Sequence, residues 1–326
     1  MFKWEKLGKV FDPSEHDTPE WMQQFAQAPC AVLFDDFVRI YFSCRPKPDE
    51  KGQYTSYSAY VDLDRNNLFK IKELSEVPIL PLGDLGNFDE FGIYPVSVIK
   101  DKELFKLYYA GWTRCESVPF NVNIGYATSI DNGKTFTKLG KGPILSYSLD
   151  EPFVLSGPKI RKFNGRYYLF YIAGSKWILD KGKPEPIYKI RMAESADGIN
   201  WKKLNKNIIL NKIEENEAQA SPDVFFLNGK YRMFFCYRHS KGYRSKTGGY
   251  RIGYAESSDL INWDRKDDMA GIDVSETGWD SEMVSYPHIF MLEDEIYMFY
   301  LGNGVGKNGF GMAKLKNLNE IDEVDK

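Results

Sequence analysis

Tyr94-Pro95-Val96, Leu107-Tyr108-Tyr109, Ile124-Gly125-Tyr126-Ala127 and Thr135-Phe136 stand in that order along the chain, and the order returns. It is met again in Gly157-Pro158-Lys159, Tyr168-Leu169-Phe170-Tyr171, Ile190-Arg191-Met192-Ala193 and Asn200-Trp201. A further copy runs through Ser221-Pro222-Asp223, Met233-Phe234-Phe235, Ile252-Gly253-Tyr254-Ala255 and Asn262-Trp263. Pro29, Pro95, Pro158, Pro222 and Pro287 open five such copies at steps of 66, 63, 64 and 65 residues. Each proline starts a short apolar strand, which a tight turn joins to an aromatic-rich one. Repeats of this length, with about four strands each, read as blades of a β-propeller.

The copy that opens at Tyr286-Pro287-His288 ends with Gly309-Phe310-Gly311-Met312-Ala313 and lacks its fourth strand. Phe2-Lys3-Trp4-Glu5-Lys6-Leu7 matches Asn200-Trp201-Lys202-Lys203-Leu204, which is that strand in another copy. The expected fold is therefore all-β: a five-bladed β-propeller with four antiparallel strands per blade, its ring closed by the N-terminal strand completing the last blade. Closure of this kind leaves no unpaired sheet between first and last blades. Residues 1–317 are read as a single propeller domain and residues 318–326 as a charged tail.

Aromatic residues make up 15% of the chain and hydrophobic residues 43%, and large flat rings are what fill the wedges between twisted sheets. No run approaches the roughly 18 apolar residues of a membrane span. A net charge of −3 with scattered lysines argues against nucleic acid as a partner. Cys30, Cys44, Cys115 and Cys236 show no CxxC spacing, so neither a zinc site nor a disulfide framework is expected, and no cofactor is indicated. The N-terminus lacks the apolar core of a signal peptide, which points to a cytoplasmic protein.

In an up-and-down blade, the links between blades and the loops joining second to third strands open on one face. The turns on the other face are short, and the Asp131-Asn132-Gly133 and Asp197-Gly198 sites have turn-forming composition rather than catalytic character. Long loops at roughly 43–57, 111–123, 173–188 and 237–249 open on the link face. They would gather Arg45, Trp112, Arg114, Lys176, Trp177, Arg238, His239 and Arg244 as substrate-binding groups. The interblade links add Asp89, Glu90, Glu151, Glu217, Asp280 and Glu282, with Asp280 as a further substrate contact.

Glu90, Glu217 and Glu282 each stand five residues before their proline, and Glu151 stands seven before its own. Carboxylates at matching positions around a ring are expected to converge on the channel mouth, where one serves as acid and another as base or nucleophile on a glycosidic bond. On this reading Glu151 or Glu217 donates the proton, and Asp89, Glu90 or Glu282 is base or nucleophile. The alternative is that the link acids form salt bridges that knit the blades. The residues after the prolines, Lys159, Asp223 and His288 in three consecutive blades, share one level inside the ring. Asp223 and His288 are candidate substrate contacts there, with a hydrogen-bonded channel plug as the other reading and a central cation as a third.

Tyr126-Ala127-Thr128-Ser129, Tyr254-Ala255-Glu256-Ser257 and the Asp197 to Trp201 turn, set on Pro-anchored inner strands, resemble the five-bladed glycosidase superfamily. That superfamily includes the invertase-like, arabinanase-like and mannoside-phosphorylase-like enzymes. Trp279-Asp280-Ser281-Glu282-Met283 before Tyr286-Pro287, and Gly182-Lys183-Pro184-Glu185-Pro186 after Lys176-Trp177, are similar to bacterial proteins with invertase-like N-terminal domains. The resemblance implies action on carbohydrate, in a setting of surface-polysaccharide metabolism. In the invertase-like and arabinanase-like enzymes an Asp directly precedes the first anchor proline. Here that residue is Ala28, and Tyr94, Gly157, Ser221 and Tyr286 precede the others, so no catalytic residue carries over.

Two functions from different classes follow. The first is a carbohydrate-active enzyme of glycoside hydrolase, phosphorylase or glycosyl transferase type. Arg45, Arg114, Arg238 and Arg244 around one mouth would suit an anion, since guanidinium pairs bidentately with carboxylate or phosphate. The partner is then a small carbohydrate or a sugar phosphate. The second is a non-catalytic glycan-binding propeller with Trp112 and Trp177 as stacking platforms. Acids converging within about 5 to 10 Å across one pocket would mark the enzyme; acids paired off elsewhere would mark the binder.

Overall fold

The computed structural model describes residues 1–318, so the expected tail lies outside the described residues but for Leu318. Five four-stranded antiparallel sheets make the five blades. The last is β18 (Ser285–Leu292), β19 (Glu295–Leu301) and β20 (Phe310–Leu315), completed by β1 (Trp4–Phe11). The first contains β2 (Gln24–Leu33), β3 (Phe37–Arg45), β4 (Tyr57–Asp64) and β5 (Asn67–Leu74). The second contains β6 (Gly92–Asp101), β7 (Leu104–Thr113), β8 (Asn121–Ser129) and β9 (Thr137–Lys138). The third contains β10 (Phe153–Phe163), β11 (Arg166–Asp180), β12 (Lys183–Ser195) and β13 (Lys202–Lys203). The fourth contains β14 (Ala218–Leu227), β15 (Lys230–Arg238), β16 (Arg251–Ser257) and β17 (Asp264–Arg265). The N-terminal strand runs antiparallel to β20 from Trp4 opposite Leu315 to Phe11 opposite Phe310, so the ring closes as the sequence match implies.

Each anchor proline sits at a register slip of the innermost strand, for example between Ser156 and Lys159, Ala220 and Asp223, and Ser285 and His288. Proline has no N–H for the ladder, and a bulge is where a strand tolerates that loss. Ala28, Gly157, Ser221 and Tyr286, each just before its proline, have φ of 53, 60, 49 and 52°.

Blades are tied to their neighbours through the tight turns. Tyr41 and Tyr108 on the second strands donate their hydroxyls to the Gly133 and Gly198 carbonyls of the following blade, both at 2.8 Å. Those glycines have φ of 75 and 81°, and a Cβ on them would lie 2.2 and 2.6 Å from the tyrosine oxygens. Asp131 and Asp197 accept backbone N–H groups of the same turns and so fold them.

One loop expectation is corrected. Residues 173–188 are not a loop: β11 and β12 continue as a hairpin until Asp180 faces Lys183. Lys181 and Gly182 at its tip have φ of 49 and 79°, the two-residue turn whose twist matches the flanking strands.

Inside the ring, Lys159, Asp223 and His288 are buried and meet. His288 Nε2 accepts the Ala31 N–H at 2.8 Å, so the neutral ring carries its hydrogen on Nδ1, 3.0 Å from Asp223 Oδ2. Lys159 Nζ lies 3.1 Å from that nitrogen, and Asp223 also accepts from Ile289 N at 2.6 Å and from Arg161. Asp223 and His288 therefore spend their polar atoms on a plug across the channel. Burial, with the Lys159 charge beside it, pushes the imidazole down to about 4. A histidine in the unfolded chain titrates near pH 6.5, so between about pH 6.5 and 4 the unfolded state binds the extra proton and stability falls on acidification. The urea midpoint should drop across that window, and less so in His288→Gln. An equal drop in that variant would show that His288 does not carry the dependence.

Candidate active site

The interblade links end in a repeated buried latch. Asp89 accepts from Tyr109 Oη at 3.1 Å and pairs with Lys138 Nζ at 2.6 Å. Glu151 accepts from Tyr171 Oη at 2.7 Å and pairs with Lys203 at 2.5 Å and Arg191 at 3.4 Å. Asp280 accepts from Tyr300 Oη at 3.0 Å and pairs with Lys6 at 2.7 Å. In the fourth blade Phe235 takes the tyrosine position, opposite Gly253 as Tyr109 is opposite Gly125. Glu217 there pairs with Arg265 at 2.6 Å and accepts from Gln219 at 2.8 Å and from the Lys212 and Ile213 N–H groups. Burial opposes the Glu217 charge, yet Arg265 outweighs it and holds the carboxyl below its ordinary range.

Lys138, Lys203, Arg265 and Lys6 all lie on the outermost strands of their blades. The sequence expectation that the acids converge on the channel mouth is therefore not met by Asp89, Glu151, Glu217 and Asp280. A buried carboxylate needs a counter-charge, and in each of these four blades the outermost strand supplies it. Glu90 is turned to the Gly86 N–H at 2.9 Å, and Glu282 is exposed.

What does gather at the mouth is aromatic and cationic. A cleft crosses it as two connected hollows of about 640 and 450 Å³, which share Tyr94, Cys115, Pro119, Phe120, Tyr188 and Tyr286. Arg45, Trp112 and Arg114 line the smaller hollow, and Arg238 and Arg244 the larger. Tyr94 donates to Tyr286 Oη at 3.0 Å, and burial pushes the Tyr94 phenol up to about 12. Tyr94 and Tyr286 each stand directly before an anchor proline, a signal readable in the sequence.

Arg238 is buried, with its charge answered by neutral oxygens: Tyr250 Oη at 3.1 Å, Tyr188 Oη at 3.3 Å, and the His239 and Pro186 carbonyls, both at 2.9 Å. The Arg45 guanidinium lies over the rings of Phe25, Tyr54 and Tyr94 at 4.5, 5.2 and 5.6 Å, and its buried Nε has no hydrogen-bond acceptor. Burial draws it below its ordinary pKa, although arginine stays protonated in proteins. Arg114 differs, lying 3.7 Å from Asp49 and donating to the Tyr54 carbonyl at 3.2 Å.

The remaining expected contacts are dispersed. Trp177 packs on Phe120 and Phe153 at 5.6 and 6.1 Å, behind the wall, and Lys176 is exposed on β11. His239 Nδ1 faces Glu214 at 2.9 Å. Sequence reasoning missed Glu185, a buried carboxylate of the cleft wall held by Tyr243 at 2.9 Å and by Arg244. Its signal was its place between Pro184 and Pro186 near a hairpin tip.

This fold defines the class of the protein: a five-bladed β-propeller of four-stranded antiparallel blades. The particular family is shown by the uncharacterized protein Rv1502 of Mycobacterium tuberculosis, 35% identical over 315 residues spanning 96% of this chain and 99% of that one. The chain belongs to that family. It is also similar to the 1,2-beta-oligomannan phosphorylase of a Thermoanaerobacter species, 28% identical over 200 residues, 60% of either chain. A solved structure described as "The GH130 family of mannoside phosphorylases contains glycoside hydrolases that target beta-1,2 mannosidic linkages in Candida mannan" superposes with a TM-score of 0.70 at 16% identity, over 96% of this chain and 93% of its own. No family model matches the chain. Among the described residues no helix is long and apolar enough to cross a membrane.

Proposed function

We propose that the chain is a carbohydrate-active enzyme whose cleft takes an anionic reactant or an anionic sugar. The observation that carries this reading is the pair Arg45 and Arg238, two guanidinium groups in one aromatic-walled cleft with no carboxylate hydrogen-bonded to either. A buried cation is unfavourable until something supplies the opposite charge, and a ligand carboxylate or phosphate would do so. Tyr94, Tyr188 and Tyr286 offer ring faces and hydroxyls to a sugar.

Hydrolysis by two carboxylates needs them about 5 to 9.5 Å apart across the substrate. Glu185 is the buried carboxylate of the cleft wall and Glu116 an exposed one at its rim. Attack by an anion such as inorganic phosphate, with Glu185 as acid–base group, therefore suits the wall better than the two-acid scheme. The relative named for phosphorolysis of oligomannan supports the same choice.

Incubation with β-1,2-manno-oligosaccharides and related sugars, with and without phosphate, should release glycosyl phosphate detectable by chromatography. Arg238→Met should lower kcat/KM roughly 10- to 100-fold, the worth of hydrogen bonds to a charged group. Equal turnover without phosphate or any anionic group, unaffected by that substitution, would sink the reading. Glycan binding without turnover is the second reading, favoured by the latches that occupy Asp89, Glu151 and Glu217. Tight binding with no product from any sugar would establish it.

A further inference from the structure

We propose that the smaller hollow is a subsite for a carboxylate carried on an apolar substituent, as in a carboxyalkyl ether of a sugar, and not for phosphate. The inference rests on the reading of the cleft as a carbohydrate site and specifies what part of the ligand enters this half.

The walls of the 450 Å³ hollow include Phe120, Val122, Val154 and Ile172, with Tyr94 and Tyr286 at the junction with the larger one. Hydroxyls of a plain sugar ring pushed against Val122, Val154 and Ile172 would lose water without gaining partners. An alkyl group there loses nothing. Polar function is concentrated at one end, where the Arg45 head lies among Phe25, Tyr54 and Tyr94 and its buried Nε lacks an acceptor. A buried charged donor left open beside a cleft calls for a partner.

Charge count selects the kind of anion. Arg114 lines the same hollow, but Asp49 lies 3.7 Å from its guanidinium. One positive charge, that of Arg45, is thus left without a nearby carboxylate, which matches one negative charge. A phosphate group carries between one and two charges at neutral pH and three strong acceptor oxygens, and besides the two arginines and the tyrosine hydroxyls the side-chain donors in this wall are the neutral Gln53, Trp112 and Ser156, which add no second positive charge. A planar carboxylate meets a guanidinium edge with two parallel hydrogen bonds and leaves the alkyl carbon beside it to the apolar wall. Phosphate is better served in the larger hollow, where Lys183 and Arg238 stand, Arg244 there being already paired with Glu185.

The test is calorimetric binding with four probes: N-acetylmuramate, whose lactyl ether joins a methyl and a carboxylate; N-acetylglucosamine, which lacks that ether; neutral β-1,2-mannobiose; and 3-phenylpropionate, which is no sugar. N-acetylmuramate should bind roughly 10- to 100-fold more tightly than N-acetylglucosamine, and Arg45→Met should abolish the difference. Inorganic phosphate should not displace it. Because a substitution at Arg45 touches a packed site, the wild-type series and the phosphate competition decide the matter even if that variant folds poorly. Equal affinity for the two amino sugars, displacement by phosphate, or no binding of either carboxylate overturns the inference. Mannobiose bound with no carboxylate preference overturns it while leaving the carbohydrate reading standing. Phenylpropionate bound through Arg45 with neither neutral sugar bound supports the subsite and overturns the carbohydrate reading instead.

Discussion

Removal of residues 1–11 is expected to abolish cooperative folding of the ring, not merely to trim an end. Phe2 is buried against Phe234 and Tyr254 of the fourth blade at 5.0 and 4.9 Å, and Trp4 donates its indole N–H to the Ala270 carbonyl at 3.1 Å. Phe11 lies 5.1 Å from Phe42 of the first blade, and Lys6 is the latch cation for Asp280. One strand therefore touches three blades. Burying Phe2, Val10 and Phe11 is worth about 1.5–3 kcal/mol each, which together rivals the 5–15 kcal/mol that typically holds a whole protein folded. The deletion would also expose the edge of β20, a site for intermolecular pairing. Size-exclusion chromatography and urea unfolding should show aggregated or partly folded material, and Phe2→Ala alone should cost about 3–5 kcal/mol. A truncated chain that unfolds at the native midpoint would mean that closure contributes nothing to stability.

Glu151→Ala should cost about 3–5 kcal/mol, because it strands Lys203 and Arg191 without the carboxylate that draws them into the blade. The melting temperature should fall by something on the order of 10 °C. Glu151→Gln keeps the contact with Tyr171 and should lose less. Glu282→Gln, at an exposed side chain, should stay within about 0.5 kcal/mol of the parent. The comparison separates latch from catalyst: a latch variant loses stability while retaining ligand affinity at low temperature. A Glu151→Gln protein with unchanged melting and no turnover would restore that residue to the chemistry.

Much of the fold could be read from residues close together in the chain. The Pro-anchored strands announce themselves by spacing, and Asp131-Asn132-Gly133 is a turn wherever it occurs, since its glycine must hold φ of 75°. The candidate site was legible in its cations and less so in its acids. Arg45, Arg114, Arg238 and Arg244 end strands or stand on loops of the mouth, so topology places them directly. Glu185 escaped notice because the hairpin of β11 and β12 looks like a long loop until the Lys181-Gly182 turn is recognised.

Blade number, ring closure and the face that bears the cleft were determined by the sequence alone, because period, alternation and turn composition act over a few residues and repeat. The direction in which each link acid turns was decided only in three dimensions. Asp280 and Lys6 are at opposite ends of the chain and become partners only once β1 is seated on β20. Asp89 and Glu151 likewise meet cations that arrive only on the fourth strand after them. A carboxylate leaving water goes to whichever positive charge the packing brings within reach, and that charge cannot be known until the strands are paired.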